Sequence, residues 1–446
     1  MALLAQNNRL LLKNKKFSNN LVKTGKGPTT AKPTTWAQVY ADPAYIQLDN
    51  ASKSWVTDVA TRMTLQYFLS NVLYRTNSSG ATIALVVTPP DPALVPHTYT
   101  VPGPLCCYLS LNCCSAPATP AGPLKVAGNV LKDGCGNAIT LHGVNLDVEK
   151  AWWNNNWQQN LTMLSDISST TANAVRISWW AKSTNGAAGA YTLDKLDAYL
   201  QKCKDLKLVP VLELHDLTTQ NNYTNFTSTI MGFWTRADVK QVLQKYQNYL
   251  IINFANEFGY VAWGGSVTDY TTAYKNAIAT MRSNGYTCPL LIDAPDGGAS
   301  EDVLLANCNA LFAADNLANT LFSVHSYWIK YNGQAAKINT QITSMKNSGH
   351  VFLLGELANQ QDEVNAMCKY NLDAAGSSIM ETVLNAAKTN NIGWLAWEWY
   401  NDACPNRQLT TSGNSNSLTP QGTKIINSTV FGIKSYTNVR AKTTCP

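Results

Sequence analysis

From about Leu124 onward, one pattern repeats eight times: a short apolar run, then an amphipathic stretch of helical period. The apolar runs are Ile139–Leu146, Ala174–Trp180, Val209–His215, Leu250–Ala255, Leu290–Ala294, Leu321–Tyr327, Phe352–Leu357 and Gly393–Trp399. Between them lie LDKLDAYLQKCKDL from Leu193, RADVKQVLQKY from Arg236, YTTAYKNAIATMRSNG from Tyr270 and INTQITSMKNSG from Ile338. Apolar runs that do not alternate with polar residues suit strands buried on both faces, as in a parallel sheet covered by helices. Several helical stretches end at Gly or Asn, which tolerate the left-handed conformation of a helix C-terminus. Eight units in about 320 residues predict an α/β chain folded as a (β/α)8 TIM barrel over residues 124–446. An open doubly wound sheet is the alternative, but no GxGxxG or Walker loop follows the first strand.

What precedes the barrel is different. Residues 1–35 carry Arg9, Lys13, Lys15, Lys16, Lys23, Lys26 and Lys32 and no acid, so they hold the chain's whole +6 excess. They read as a basic N-terminal arm, either solvated or ordered on attachment to a larger assembly. Residues 36–104 predict a small β-rich module with strands at Tyr45–Leu48, Met63–Phe68 and Ala81–Val87. Trp36, Trp55 and Tyr67 are its candidate carbohydrate platform, against simple core packing. Half of the 18 prolines fall between Pro89 and Pro123, so residues 105–123 read as a stiff Pro/Cys-rich linker. Cys106, Cys107, Cys113 and Cys114 cluster there, with Cys135 nearby. With five histidines in the chain and no zinc-ribbon spacing, disulfides in the linker fit better than a metal knot.

Only 14% of residues are charged, while 10% are aromatic. Such a surface suits a neutral, hydroxyl-rich ligand rather than a nucleic acid, and no apolar run is long enough to span a membrane. The start MALLAQNNRLLLKNKKF is a poor secretory signal, although the cysteines favour an oxidising destination. Extracellular action, release by lysis or association with a particle is the expectation.

A barrel of this kind places its chemistry at the C-terminal ends of its strands. There the sequence offers Arg176, His215, Asn256, Glu257, His325, Tyr327, Glu356, Trp397 and Trp399. Glu257 closes strand four and Glu356 closes strand seven, so two carboxyls face each other across the mouth. Retaining glycosidases need such a pair, one attacking the anomeric carbon and the other protonating the leaving oxygen. Arg176 would orient the nucleophile and Tyr327 hydrogen-bond to it. His215 and Asn256 would meet sugar hydroxyls, and Trp397 or Trp399 would offer a face to a pyranose ring. Any one of these alone is more often a packing or ion-pair residue; six strands ending alike is the stronger signal. Glu213 and Asp216 read as bystanders, and in–out alternation sets Glu398 outside the cleft. Neither HExxH nor GxSxG occurs, so neither zinc hydrolysis nor a serine nucleophile is expected, and no cofactor or metal is implied.

In these stretches the chain resembles glycoside hydrolase family 5, most closely its bacterial endo-β-1,4-mannanases. The resemblance rests on ITLHGVNL, NAVRI, VPVLELHD, IINFANEFG, LLIDAP, LFSVHSYW, FLLGELA and GWLAWEW, in that order. It implies Glu257 as acid/base, Glu356 as nucleophile, and Arg176, His215, His325 and Tyr327 as further active-site residues. It implies a polysaccharide substrate, mannan or alternatively a β-1,4-glucan; a barrel that binds sugar without turnover is the third reading. DAPDGGAS, SYWIKYNG and ELANQQDE depart from the mannanase loops after strands five, six and seven, where subsites form.

Overall fold

The computed structural model describes residues 119–148, 157–182, 191–363, 366–374 and 377–445 of the C-terminal part. In the N-terminal part it describes 34–41, 72–76, 82–87, 98–100 and scattered positions between 53 and 65. The chain divides into two compact units between Thr119 and Pro120, a few residues ahead of Leu124.

In the first unit, Trp36–Ala41 is a helix, and Thr82–Val87 pairs antiparallel with both Val72–Thr76 and Thr98–Thr100. Of the strand expected at Ala81–Val87, Thr82–Val87 is therefore present. At Met63–Phe68, Leu65 is helical and buried, in keeping with the helix propensity of Met, Leu and Gln there. Tyr45–Leu48, Trp55, Tyr67, the arm up to residue 33 and the four linker cysteines lie outside the described residues.

The second unit is a closed barrel of eight parallel strands. They are β1 (His142–Asp147), β2 (Ala174–Trp179), β3 (Val209–Leu214), β4 (Ile251–Asn253), β5 (Leu290–Asp293), β6 (Thr320–His325), β7 (Phe352–Glu356) and β8 (Gly393–Ala396). Each pairs with the next in sequence, and β8 closes on β1. The helices are α1 (Trp157–Ser169), α2 (Leu193–Leu206), α3 (Ala237–Leu243), α4 (Val267–Ser283), α5 (Glu301–Phe312), α6 (Ala335–Asn347), α7 (Ile379–Asn390) and α8 (Pro420–Asn427). Their apolar stripes pack on the outward side chains of the strands in one continuous core.

β1 begins at His142, not at Ile139 as the apolar run suggested. Ile139 instead pairs with Leu131 in a small antiparallel sheet of Lys125–Ala127, Val130–Lys132 and Ala138–Ile139. That sheet caps the N-terminal end of the barrel: Leu124, Val126, Leu131 and Ile139 share a second core with Val211, Ile251, Leu291 and Leu353. Cys135 is not part of a linker cluster. It is bonded to Cys445, so the cap and the chain's C-terminal stretch are tied together. A second disulfide, Cys368–Cys404, joins the loops after β7 and β8. With one end plugged by apolar side chains, the open end at the strand C-termini is left for chemistry.

Candidate active site

The polar residues that interrupt the apolar strands share rungs of the barrel. Register sets Asn145 beside Arg176, Glu213 beside Asn253, Asp293 beside Ser323, and His325 beside Glu356. The β6–β7 ladder shifts register between Val324 and His325, an irregularity of the kind that re-aims a side chain. Glu257 has φ 48°, a left-handed conformation uncommon for a side-chain-bearing residue, in the turn that follows β4.

Arg176 is fully buried at the centre. Its Nη1 donates to Glu356 Oε1 at 2.8 Å and to Asn145 at 3.1 Å, and its Nε to Asn253 at 3.1 Å. Its Nη2 donates to Asn256 Oδ1 at 2.7 Å and Asp293 at 3.4 Å. Tyr327 donates to the other oxygen of Glu356 at 2.8 Å. Both oxygens of that carboxylate are thus held by donors.

Glu257 sits against His325, with Oε1 2.8 Å from Nδ1, and its backbone N–H donates to Asp293. Burial raises the Glu257 carboxyl above its ordinary range; the Glu356 charge adds to this, while His325 opposes it. His325 is fully buried, which disfavours its charged form, yet the carboxylates of Glu356, Asp293 and Glu257 win and raise its pKa. The facing oxygens of Glu257 and Glu356, with a His325 ring nitrogen, lie within 4.8 Å of one another. Three such donors could take a cation, but the Arg176 guanidinium on Glu356 opposes one electrostatically.

His215 accepts a different partner set. Its Nδ1 is 2.9 Å from Glu213, and its ring stacks on Trp397 at 6.1 Å and leans on Trp180 at 5.4 Å. Burial works against its charge, but Glu213 prevails and pushes its pKa up to about 9. Glu213 in turn is buried, and His215 and Arg176 hold its pKa below the usual range. It is therefore a partner of the site residues and not a bystander. Asp216 accepts from the amides of Ala181 and Lys182 and shapes the β2 loop.

Arg176, Asn256, Glu257, His325, Tyr327 and Glu356 thus converge on one place, with His215 and Trp397 beside it. Trp399 does not join them. It is fully buried, and its indole donates to the Gly413 carbonyl at 2.8 Å, so its face belongs to the core. Glu398 is buried too. Asn145, Asn253 and Asp293 escaped notice in the sequence, although each is a polar residue inside an apolar strand at the level of Arg176.

The family profile described as "Cellulase (glycosyl hydrolase family 5)" matches residues 133–403. The chain belongs to glycosyl hydrolase family 5. A mannan endo-1,4-beta-mannosidase of Cellvibrio japonicus (strain Ueda107) is 30% identical over 68% of the chain and 66% of its own length. Another, from Streptomyces lividans, is 27% identical over 69% of the chain and 74% of its length. A beta-mannanase from Streptomyces thermolilacinus solved with mannohexaose is 25% identical, with a TM-score of 0.59 over 72% of this chain and 97% of that one. The residues matched by the family profile include every strand of the barrel and all six converging side chains.

Proposed function

We propose that the barrel is a retaining endo-acting glycoside hydrolase that cleaves internal β-1,4-mannosidic bonds of mannan, glucomannan or galactomannan. The observation that carries this is the pair Glu257 and Glu356, with facing oxygens within 4.8 Å. Retaining enzymes hold their carboxyls ~5–5.5 Å apart, whereas inverting ones leave room for a water between them. Glu356, positioned by Arg176 and Tyr327, attacks the anomeric carbon as the glycosidic bond breaks. Glu257, whose raised pKa favours its protonated form, gives its proton to the departing oxygen. Water then attacks the anomeric carbon of the glycosyl–Glu356 intermediate, Glu257 takes the water's proton, and the C–O bond to Glu356 breaks to release its carboxylate.

Asn256 accepts from Arg176 through its side-chain oxygen and donates one amide hydrogen to Thr218. Its second amide hydrogen is assigned to a sugar hydroxyl. His215 is partly exposed beside Trp397, so the imidazole reads a hydroxyl while the indole offers an apolar face. The names of the relatives support mannan as the substrate. Two disulfides suit an oxidising compartment, which favours action outside the cell or after lysis.

The test is reducing-end release from konjac glucomannan, galactomannan and carboxymethylcellulose, with Glu356→Gln as control. Cleavage of the two mannans alone is expected, and cleavage chiefly of the cellulose derivative would transfer the assignment to an endo-β-1,4-glucanase. Sugar binding with no new reducing ends would mean a non-catalytic barrel. Glu356→Ala should lose at least about 10³-fold in kcat and be partly rescued by azide, which yields an inverted glycosyl azide.

A further inference from the structure

Trp263 is the one tryptophan exposed among the residues whose side chains are described, with 53% of its surface open to solvent. A lone exposed apolar residue needs no explanation by itself. This one is held in place by a built support. The Asp296 carboxylate accepts from the backbone N–H groups of Val261, Ala262 and Trp263 at 2.9, 3.1 and 3.1 Å, and from Ser300 Oγ at 2.6 Å. Tyr260 packs edge-on against the indole at 5.5 Å and donates its hydroxyl to the Thr219 carbonyl. The loops after β3, β4 and β5 are thereby locked into one wall.

The ring is aimed as well as held. It lies on Gly297, where an added Cβ would sit 3.0 Å from Trp263 Cη2. The next residue, Gly298, packs on His325 so closely that a Cβ would approach Cγ to 2.5 Å. His325 contacts Glu257 at 2.8 Å. An unbroken chain of contacts therefore runs from the exposed indole to the partner of the acid. Trp263 and Glu257 also stand on the same loop. Trp397 and His215 lie on the other half of the ring of strands, at β8 and β3, and the two carboxyls at β4 and β7 divide these halves.

We propose that Trp263 is a stacking platform for a pyranose ring on the leaving-group side of the scissile bond. The assignment rests on reading Glu257 as the acid that faces the leaving oxygen. An indole face meets the axial C–H groups of a sugar ring, and its rigid mounting on Asp296 and Gly297 cuts the entropy lost on binding. DAPDGGAS, the segment that departs from the mannanase pattern, acts here as the mount for an aromatic residue supplied by the preceding loop.

The experiment compares wild type, Trp263→Ala and Trp263→Phe on reducing-end-labelled hexasaccharides of the mannan and cellulose series and on the polymers. Trp263→Ala is expected to raise KM about ten-fold with kcat changed less than about two-fold, and Trp263→Phe to restore most of the loss. Cleavage should move toward the labelled end, because fewer sugar units are then held beyond the scissile bond. A shift toward the other end, or no change in KM and pattern on either series, overturns the proposal. If only the cellulose series is cleaved and the Trp263 effect persists, the mannan reading fails and the platform stands. Affinity electrophoresis in the Glu356→Gln background gives a readout independent of turnover. Equal retardation with and without Trp263 would also overturn the platform.

Discussion

Arg176 spends all five of its N–H hydrogens inside the barrel: one on Asn253, two on Asn145 and Glu356, and two on Asn256 and Asp293. Lysine has three donors and no fork, so it cannot satisfy this cage. Arg176→Lys should cost about 3 kcal/mol of stability and at least about 10²-fold in kcat, read by denaturant unfolding and turnover. An unchanged kcat with a folded protein would mean that Arg176 only packs. The cage bears on titration too. Glu257 is raised first by burial and further by the charge of Glu356. Glu356→Gln removes that neighbouring charge, so the Glu257 pKa should fall yet stay above the ordinary carboxyl range, because burial remains. Carboxyl carbon NMR of labelled glutamate would show it, and a rise or no movement would refute the coupling. In the wild type, activity should decline as pH rises through the Glu257 pKa, since the acid form is then lost. Glu257, Glu356 and Tyr327 were legible in the sequence because each stands at or just beyond a strand end in a distinctive run, and Arg176 because it is the one charge within its strand. Asn145, Asn253 and Asp293 were not, because an uncharged or isolated polar residue within a strand gives no sign of which interior level it will share. Trp399 misled for another reason: β8 ends at Ala396, so the strand alternation that put Trp399 on the same side as Trp397 does not extend to it.

At the level of elements, the strands were readable as far as burial on both faces made them continuous apolar runs. The exception is β1, where Ile139 and Leu141 extend the run into the cap sheet and its underlying core. Apolar character cannot tell a strand end from an apolar cap. The loop after β7 folds back as a hairpin, with Gln360–Glu363 paired to Ala366–Asn371. Its residues are largely polar and alternate in exposure, so nothing in composition separates it from an irregular loop. Helix termini follow local chemistry more plainly. Thr419 precedes Pro420 at the start of α8, and its hydroxyl oxygen accepts from the Gly422 N–H at 2.9 Å while the hydroxyl donates to the Gln408 carbonyl at 2.7 Å. Thr419→Ala should therefore cost about 1 kcal/mol in urea unfolding, with kcat little affected. A loss below a few tenths would show that Pro420 alone fixes the helix start.

For the whole molecule, the count of eleven cysteines pointed to disulfides without saying which, since pairing depends on positions that only the closed fold brings together. Cys135 and Cys445 are 310 residues apart in sequence, and their Cα atoms are 5.4 Å apart in the barrel. The bond ties the cap over the barrel's closed end to the last turn of the chain. Nearby, the Ala121 N–H donates to the Thr443 carbonyl, and the Lys442 N–H to Asp133. A cross-link closing so long a loop restricts the unfolded chain strongly, by about 6 kcal/mol in the entropic account. Because it lies at the end of the barrel opposite Glu257 and Glu356, its loss should lower stability while sparing the chemistry. Cys135→Ser with Cys445→Ser should lower the Tm by several degrees, and kcat/KM below that transition should stay within about two-fold of wild type. The same comparison under a reductant reports on both disulfides, so the double variant isolates this one. An unchanged Tm would mean that the hydrogen bonds and apolar contacts of the cap already hold the ends. A fall in kcat/KM would mean that strain at the closed end reaches the carboxyl pair through the strands.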